Sequence, residues 1–236
     1  MRWTLANLDL IGQLTLNHVR LSIIPILVSF VLSIPLGWLA NRNHILRAVV
    51  ITGGSLLFTI PSLPLFVILP LVIPTRVLDE TNLVVALSIY GVAIMARSAA
   101  DALASVEPAT LDASTAVGFS PAARFFRVEL PLAGPVLLAG IRVVSVSTIA
   151  LVSVGVIIGS QNLGNLFQNG KQRGILEEVV VGIVISLLLA LVFDLVIVGI
   201  GRLVMPWRGT PRQRRRPSPS PLPREDEAPA LSGAPR

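Results

Sequence analysis

The sequence predicts an all-α integral membrane protein with about five transmembrane helices, and a sixth is left open. Of its 236 residues, 53% are hydrophobic and 14% are charged, and the mean hydropathy is +0.78. A soluble domain usually has about 25% charged residues. Several long runs without charge approach or exceed the roughly 20 apolar residues that one spanning helix needs. Composition and run length together place most of the chain in a bilayer.

Five hydrophobic runs supply the predicted spans. The first three contain no charged residue, the fourth is interrupted only by Arg142, and the fifth only by Asp194. The second and fourth runs are longer than one bilayer crossing, so either has room for an extra short helix or a re-entrant segment. In chain order, the runs are 21–40, 48–75, 81–96, 130–170 and 179–201.

The basic residues alternate between loops and so predict an orientation. Loops 41–47 and 97–129 hold two and three Arg, and the chain from residue 202 onwards holds eight. In the alternate loops, 76–80 and 171–178, basic residues are balanced by acidic ones. Because cytoplasmic loops of membrane proteins are enriched in Lys and Arg, we expect a multi-pass cell-membrane protein with its N-terminus outside and its C-terminus cytoplasmic.

The chain divides into a predicted transmembrane domain, 1–205, and a tail, 206–236. The tail is rich in Arg, Pro and Ser and carries a net charge of +4 out of the chain's +6. Such a composition cannot bury a core, so we expect a disordered cytoplasmic tail. Its RQRRR segment suits anionic lipid headgroups, while a nucleic-acid partner is not expected.

A polar island between the third and fourth runs, 112–131, predicts two short helices joined by a sharp turn. Glu107 and Pro108 suit a first helical turn, which should run until Gly118, a residue that favours the left-handed end of a helix. Ser120 followed by a proline is a second start signal, and helical composition then continues to Leu130.

Metal and catalytic chemistry are not expected in this chain. It has no cysteine, and His18 and His44 lack partners at metal-ligand spacing. An intramembrane enzyme needs a nucleophile or paired carboxylates inside the spans, and the predicted spans hold one carboxylate, Asp194. The phosphate-binding pattern G-x-x-x-x-G-K-[ST] is absent, so no ATP hydrolysis and no bound cofactor are expected.

Arg142 and Asp194 are charges inside predicted spans, where charged residues usually pair or face a cavity. At about 1.5 Å per residue, both should lie at a similar depth near the cytoplasmic side. We therefore predict an ion pair between the fourth and fifth spans. The alternatives are a local contact of Asp194 with Arg202 and two independent, solvent-facing charges.

Two Gly-, Pro- or Asn-rich segments are candidate pore or gate elements. Pro61 and Ser62 lie in the segment TIPSLPLF, and Gly159, Asn162 and Gly164 lie in IIGSQNLGN. Irregular backbone at membrane depth is tolerated where protein or a water-filled cavity satisfies it. A kinked packing contact and an ordinary extracellular turn are the respective alternatives.

The island also resembles the cytoplasmic loop of ABC importer permeases, whose pattern is E-A-A, three residues, G, nine residues, I, one residue, L-P. This sequence matches the spacing without a gap, with Asp for Glu, Ser for the second Ala and Val for Ile. The resemblance implies that loop 98–131 couples the chain to an ATPase. The implied contact residues are Asp112, Ala113, Ser114, Gly118, Leu130 and Pro131.

Residues 17–203 are similar to one branch of that family, the permeases for glycine betaine, carnitine and choline. The similar segments include FTIPSLPLFVILPL, VELPLAGPVLLAGIR and IGSQNLGNLFQNG. The resemblance implies a type I ABC importer permease fold and an osmoprotectant as solute, another small polar solute such as an amino acid being the alternative. A membrane scaffold would not require such a docking loop.

The family resemblance also implies partners. An ATPase subunit binds ATP, a second permease subunit, identical or paralogous, completes the pore, and an extracellular binding protein delivers the solute. Residues 108–121 would be the coupling helix that sits in a groove of the ATPase. Specificity is expected in the binding protein, because only 5% of this chain is aromatic and quaternary amines are usually held by aromatic cages.

Overall fold

Helices make up the regular structure of the part of the chain that the computed structural model describes, residues 2–76 and 79–207. Besides α-helices, the chain contains a π-helical turn, Phe125–Glu129, and a 3-10 segment, Ser153–Ile158. The ten α-helices are α1 Arg2–Ala6, α2 Leu8–Ala40, α3 His44–Thr59, α4 Ser62–Val72, α5 Glu80–Ala104, α6 Pro108–Ala116, α7 Pro121–Arg124, α8 Leu130–Val152, α9 Gly164–Arg173 and α10 Leu176–Val204.

Five spans are present if the second is counted as a broken one. Helices α2, α5 and α10 and the continuous helical stretch Pro121–Ile158 are each long and apolar enough to cross a bilayer. Helices α3 and α4 reach that length only together, and they are bent by 105°. Because a residue before proline is driven out of the helical region, Ile60 is extended, with ψ at 126°, and the chain turns at Pro61.

The first span begins earlier than predicted, at Leu8 rather than residue 21. Asp9 and Arg20 interrupt the charge-free run, but they do not interrupt the helix. The true signal is the helical spacing of the buried positions, Ile11, Leu14, His18, Leu21, Ser22, Pro25, Ile26 and Ser29. His18 therefore lies inside the helix that carries the first span, three residues before the start of the predicted run.

The fourth run, 130–170, does not form a single helix. Helix α8 gives way to the 3-10 segment, and Gly159 ends that segment in the left-handed conformation with φ at 85°. The chain then starts α9, which carries Lys171 and Arg173 in its last turn. The polar residues at the end of this run therefore belong to a turn and a short amphipathic helix.

Helix α5 lies at the centre of the bundle, packed against α2 and α8. The contacts depend on small residues: a Cβ at Gly37 would lie 2.7 Å from backbone atoms of Ala99 and Ala100. Gly91 is equally close to Ser29, since a Cβ there would collide with the serine hydroxyl. Small residues allow such close approach between helices in a membrane, where van der Waals contact drives association.

Helix α10 is largely exposed and packs on α8 and α9. It meets α8 where Gly201 lies against Leu138, and it meets α9 where Gly182 lies against Phe167. At its first turn, the Thr4 hydroxyl of α1 donates a hydrogen bond of 2.8 Å to the carboxylate of Glu177. Its outward positions are almost all Leu, Ile or Val, which suits contact with acyl chains.

The described residues up to Met205 form one compact unit. Most of the predicted disordered tail, 208–236, lies outside the described residues, as do residues 77 and 78.

We expect Gly37→Ala to lower the free energy of unfolding by about 1–3 kcal/mol, because its methyl group must push α2 away from the backbone of α5. Thermal unfolding of the purified protein in detergent measures this. Gly12→Ala is the matched control on the same helix, since nothing lies within 4 Å of its Cβ position. Equal melting temperatures for the two variants would contradict the close packing of α2 on α5.

Candidate functional site

The polar island forms a projecting helix–turn–helix, which we call the knob and define as residues 107–130. As the sequence predicts, α6 starts at Pro108, with Glu107 before it in an extended conformation. The turn is a Schellman motif: the Phe119 N–H donates to the Ser114 carbonyl at 3.2 Å, and the Gly118 N–H donates to the Thr115 carbonyl at 3.0 Å. Gly118 has φ at 95°, which requires glycine at this position.

The second helix of the knob also starts where predicted but does not stop. The Ser120 hydroxyl accepts a hydrogen bond from the Ala123 N–H at 3.3 Å and caps α7. The expected end at Leu130 and Pro131 is wrong, because the helix continues into α8. The π-turn accommodates Pro131 within the continuous helix. The Leu130 N–H donates to the Phe125 carbonyl, five residues back, as in a π-helix.

Side chains on its inner surface tie the knob to the membrane bundle. Leu111, Phe125 and Leu130 pack against the buried cluster that contains Leu103 and Val106 of the α5 end. The knob is therefore attached at both ends to packed spans, and a displacement of it acts on α5 and α8 together.

Two further contacts stiffen the knob. The Arg124 guanidinium donates a hydrogen bond of 3.0 Å to the Thr115 hydroxyl, which joins α7 to α6. The Phe125 ring meets the edge of Trp38, at the end of α2, with 6.4 Å between ring centroids. The knob thus has contacts with three spans.

The outer surface of the knob carries three of the six predicted coupling residues, Asp112, Ala113 and Gly118, whereas Leu130 packs against the bundle and Pro131 is half-buried. Asp112 and Ala113 are exposed, and the Asp112 carboxylate makes no hydrogen bond or ion pair with the rest of the described chain. Val117 is 79% exposed, an unusual value for a valine in a polar loop. Ser114 differs from them, since its hydroxyl donates to the Leu111 carbonyl at 2.7 Å within α6. The exposed set can receive a protein partner, whereas Ser114 supports the helix.

A polar network beside the knob was missed by sequence reasoning. Arg47 forms a salt bridge of 2.5 Å with Asp101 and a hydrogen bond of 2.6 Å with the Asn41 side chain. The Asn41 amide in turn donates to the Ala100 carbonyl at 2.8 Å. The network fixes the turn between α2 and α3 to the end of α5. The available signal was an acidic residue, Asp101, just past the third predicted run and on the same predicted side of the membrane as the Arg-containing loop 41–47.

Arg142 of α8 and Asp194 of α10 meet in a bidentate ion pair. The Arg142 Nε and Nη2 groups donate to the two carboxylate oxygens at 2.6 and 2.9 Å. The pair is partly open, with 46% of the Arg142 side chain and 23% of the Asp194 side chain exposed. The structure brings these two together, and it shows no contact between Asp194 and Arg202 in the described part of the chain.

The two candidate pore segments have different environments. Pro61 is exposed and Ser62 half-buried at the bend between α3 and α4, where the Tyr90 hydroxyl donates to the Ile60 carbonyl at 2.6 Å. That bond satisfies the backbone that the proline break frees. The bend is therefore both open at its surface and anchored to α5.

The second candidate segment is mostly internal. Gly159 is exposed, but Asn162 and Gly164 are buried, and the Asn162 Oδ1 accepts from the Gly164 N–H at 2.7 Å. A Cβ at Gly164 would collide with the Ser153 carbonyl. The side chain of Asn162 thus shapes the turn and is buried within the chain, so its candidate role in a pore or gate stays a prediction.

His18 holds this turn in place. Its Nε2 lies 3.0 Å from the Ile149 carbonyl, and its Nδ1 lies 3.3 Å from the Leu163 backbone nitrogen. Because a carbonyl only accepts and an N–H only donates, the ring is neutral and protonated at Nε2. His18 thereby connects α2, α8 and the start of α9. Among the described residues, no three His, Asp or Glu side chains are grouped as metal ligands.

Residues 30–207 match the family described as the binding-protein-dependent transport system inner membrane component. Osmoprotectant import permease protein OsmW of Salmonella typhimurium is 30% identical over 199 residues, which cover 82% of this chain and 91% of that protein. Choline transport system permease protein OpuBB of Bacillus subtilis is 29% identical over 192 residues, covering 81% and 87%.

The fold is similar to that of a solved ABC transporter. A chain of the MetNI methionine ABC transporter in an inward-facing conformation superposes with a TM-score of 0.71 at 20% identity, covering 84% of this chain and 98% of that one. At this identity the likeness concerns the fold alone. It agrees with the type I importer permease fold that the sequence resemblance implied.

We expect either single charge removal, Arg142→Gln or Asp194→Asn, to lower the melting temperature by about 2–4 °C, because each breaks a bidentate but partly exposed pair and leaves one charge within a span without its partner. The reversed pair, Arg142→Asp with Asp194→Arg, should recover part of that loss. Thermal unfolding in detergent measures all three. A reversed pair no more stable than the single variants would show that the two side chains do not interact.

Proposed function

The chain belongs to the binding-protein-dependent transport system inner membrane components, and we propose that it is the permease subunit of an ATP-driven importer for osmoprotectants such as glycine betaine, choline or carnitine. Relatives whose names specify these solutes align with about four fifths of the chain. The family match runs from the middle of α2 to just past the end of α10, so it includes the knob and the spans on both sides of it.

The knob is the observation that carries the coupling role. Its exposed outer surface presents Asp112 and Val117, and its inner surface packs on α5 and α8. An ATPase subunit that binds the outer surface of the knob would move α5 and α8 as one unit. ATP would bind to that partner, because this sequence has no phosphate-binding loop. Closure of the ATPases would then switch the path between inward-facing and outward-facing states.

Charge supports the orientation that this role needs. The knob, the turn between α2 and α3 and the C-terminal end of α10 lie at the same end of the spans and carry Arg42, Arg47, Arg124, Arg127 and Arg202. The opposite end carries Asp79, Glu80, Glu177 and Glu178, which outnumber its Arg76, Lys171 and Arg173. By the positive-inside rule, the basic end is cytoplasmic, the N-terminus is outside, and the binding protein docks on the acidic end.

A second permease subunit, identical or paralogous, would complete the path. Parts of α8 and the exposed bend at Pro61 and Ser62 are not covered by other described helices. Faces of this kind suit a helix of another subunit or a water-filled path between subunits. An amino acid as solute is not favoured, since the likeness to the methionine transporter concerns the fold alone.

The proposed function is tested by uptake in a bacterial strain that lacks its own osmoprotectant importers. We expect co-expression of this chain with an ATPase and a binding protein from its genetic neighbourhood to restore growth at high osmolarity and uptake of radiolabelled glycine betaine, carnitine or choline. Uptake of amino acids but of none of these three solutes would favour the alternative substrate class.

We expect Gly118→Asp to abolish uptake while the chain remains in the membrane, because the substitution strains the left-handed turn and adds a charge to the docking surface. Gly118→Ala should reduce uptake severalfold through strain alone. Gly53→Ala is the matched control, since the Cβ positions of both glycines are open but only Gly118 has a positive φ. Normal uptake by the Gly118→Asp variant would contradict the coupling role of the knob.

A further inference from the structure

The guanidinium of Arg142 has hydrogen-bond donors that the ion pair does not use. The ion pair uses its Nε–H and one Nη2–H, and the remaining three N–H groups have no partner among the described residues. Nearly half of the side chain is exposed although it lies inside a span. An exposed cationic group of this kind cannot face hydrocarbon without a large cost, so it must face water or another protein.

The position of Arg142 on α8 indicates which side of the helix faces this water or second protein. It is at the edge of a strip of α8 that no other described helix covers. The strip has the three- and four-residue spacing of one helix face, and its exposed members are Leu132, Val136, Ala139, Val143, Val146 and Ala150. Two of these residues are alanines, whereas the outward face of α10 consists of large aliphatic residues. The strip therefore suits a path shared with a second subunit better than it suits lipid.

The geometry of the pair suits one end of the candidate solutes. Glycine betaine and carnitine each carry a carboxylate and a quaternary ammonium group, while choline has a hydroxyl group in place of the carboxylate. A planar guanidinium held by two hydrogen bonds presents its free N–H groups in a fixed direction, which favours a carboxylate. Asp194 offsets part of the positive charge, so a bound carboxylate would be released readily, as transport requires.

We propose that the Arg142–Asp194 pair is a transient contact site on the translocation path for the carboxylate of zwitterionic solutes, a proposal that rests on the proposed importer function. Arg142 would donate to the solute carboxylate with the N–H groups that Asp194 leaves free. Asp194 acts as a positioning residue that holds the guanidinium toward the open strip of α8. The ammonium end of the solute is not recognised at this site, since none of the ring pairs in the described part of the chain lies beside Arg142 or Asp194.

The test compares solutes with and without a carboxylate in the complete transporter, reconstituted in proteoliposomes with its ATPase and an excess of loaded binding protein. The variant is Arg142→Gln with Asp194→Asn, which removes both charges and leaves none unpaired. We expect uptake of glycine betaine and carnitine to fall at least fivefold and uptake of choline to stay within twofold of wild type.

The matched control removes the other salt bridge, by Arg47→Gln with Asp101→Asn, which lies beside the knob and away from the open strip. We expect it to change uptake of the three solutes by the same factor. An equal fall for all three solutes in the Arg142→Gln, Asp194→Asn variant would mean that the pair only holds α8 to α10, and it would overturn the proposal. If that variant fails to assemble, Arg142→Lys is used, with an expected fall of about threefold for the carboxylate solutes alone.

The proposed function and this proposal fail in different ways. A wild-type transporter that carries none of the three solutes contradicts the proposed function. If the wild type carries glycine betaine but no choline, the comparison becomes glycine betaine imported per ATP hydrolysed. In that case we expect a fivefold fall in this ratio with ATP hydrolysis within twofold of wild type, and an unchanged ratio overturns the proposal.

Discussion

The close approach of α5 to α2 and α8 is the constraint on which the rest of the structure depends. Lipid offers no hydrophobic drive for helices to associate, so the spans hold together by contact between small residues. Gly37 lies against the backbone at Ala99 and Ala100, and Gly140 lies against Ser98. These contacts fix the end of α5 beside the end of α2 and the start of α8. The knob, which joins α5 to α8, is thereby held at a defined place.

The second requirement is that irregular backbone inside the bundle finds hydrogen-bond partners. Tyr90 satisfies the Ile60 carbonyl at the bend of the broken span, and His18 satisfies both the Ile149 carbonyl and the Leu163 N–H at the other irregular segment. Each partner comes from a different span. The breaks in the helices are therefore anchored points of the fold.

Prediction from the sequence succeeded where the signal is local. The start of α6, the left-handed turn at Gly118 and the cap at Ser120 depend on the residues that form them and on their immediate neighbours. It failed at Pro131 because a π-turn can absorb a proline, and whether it does so depends on the packing of Phe125 and Leu130 against α5. It missed the true start of α2 because a charge-free run is a narrower criterion than a buried helix face.

The sequence by itself determined the class of the protein, the number of hydrophobic segments and the coupling pattern, because hydrophobic length, loop charge and capping chemistry are properties of short stretches of chain. The tertiary structure decided which distant groups meet. It selected the Arg142–Asp194 pair from the three arrangements that the sequence left open, and it placed Asn162 in a buried turn that is bonded to His18. Sequence spacing gives the depth of a residue along its helix, but which neighbours it faces depends on how each helix is rotated in the bundle.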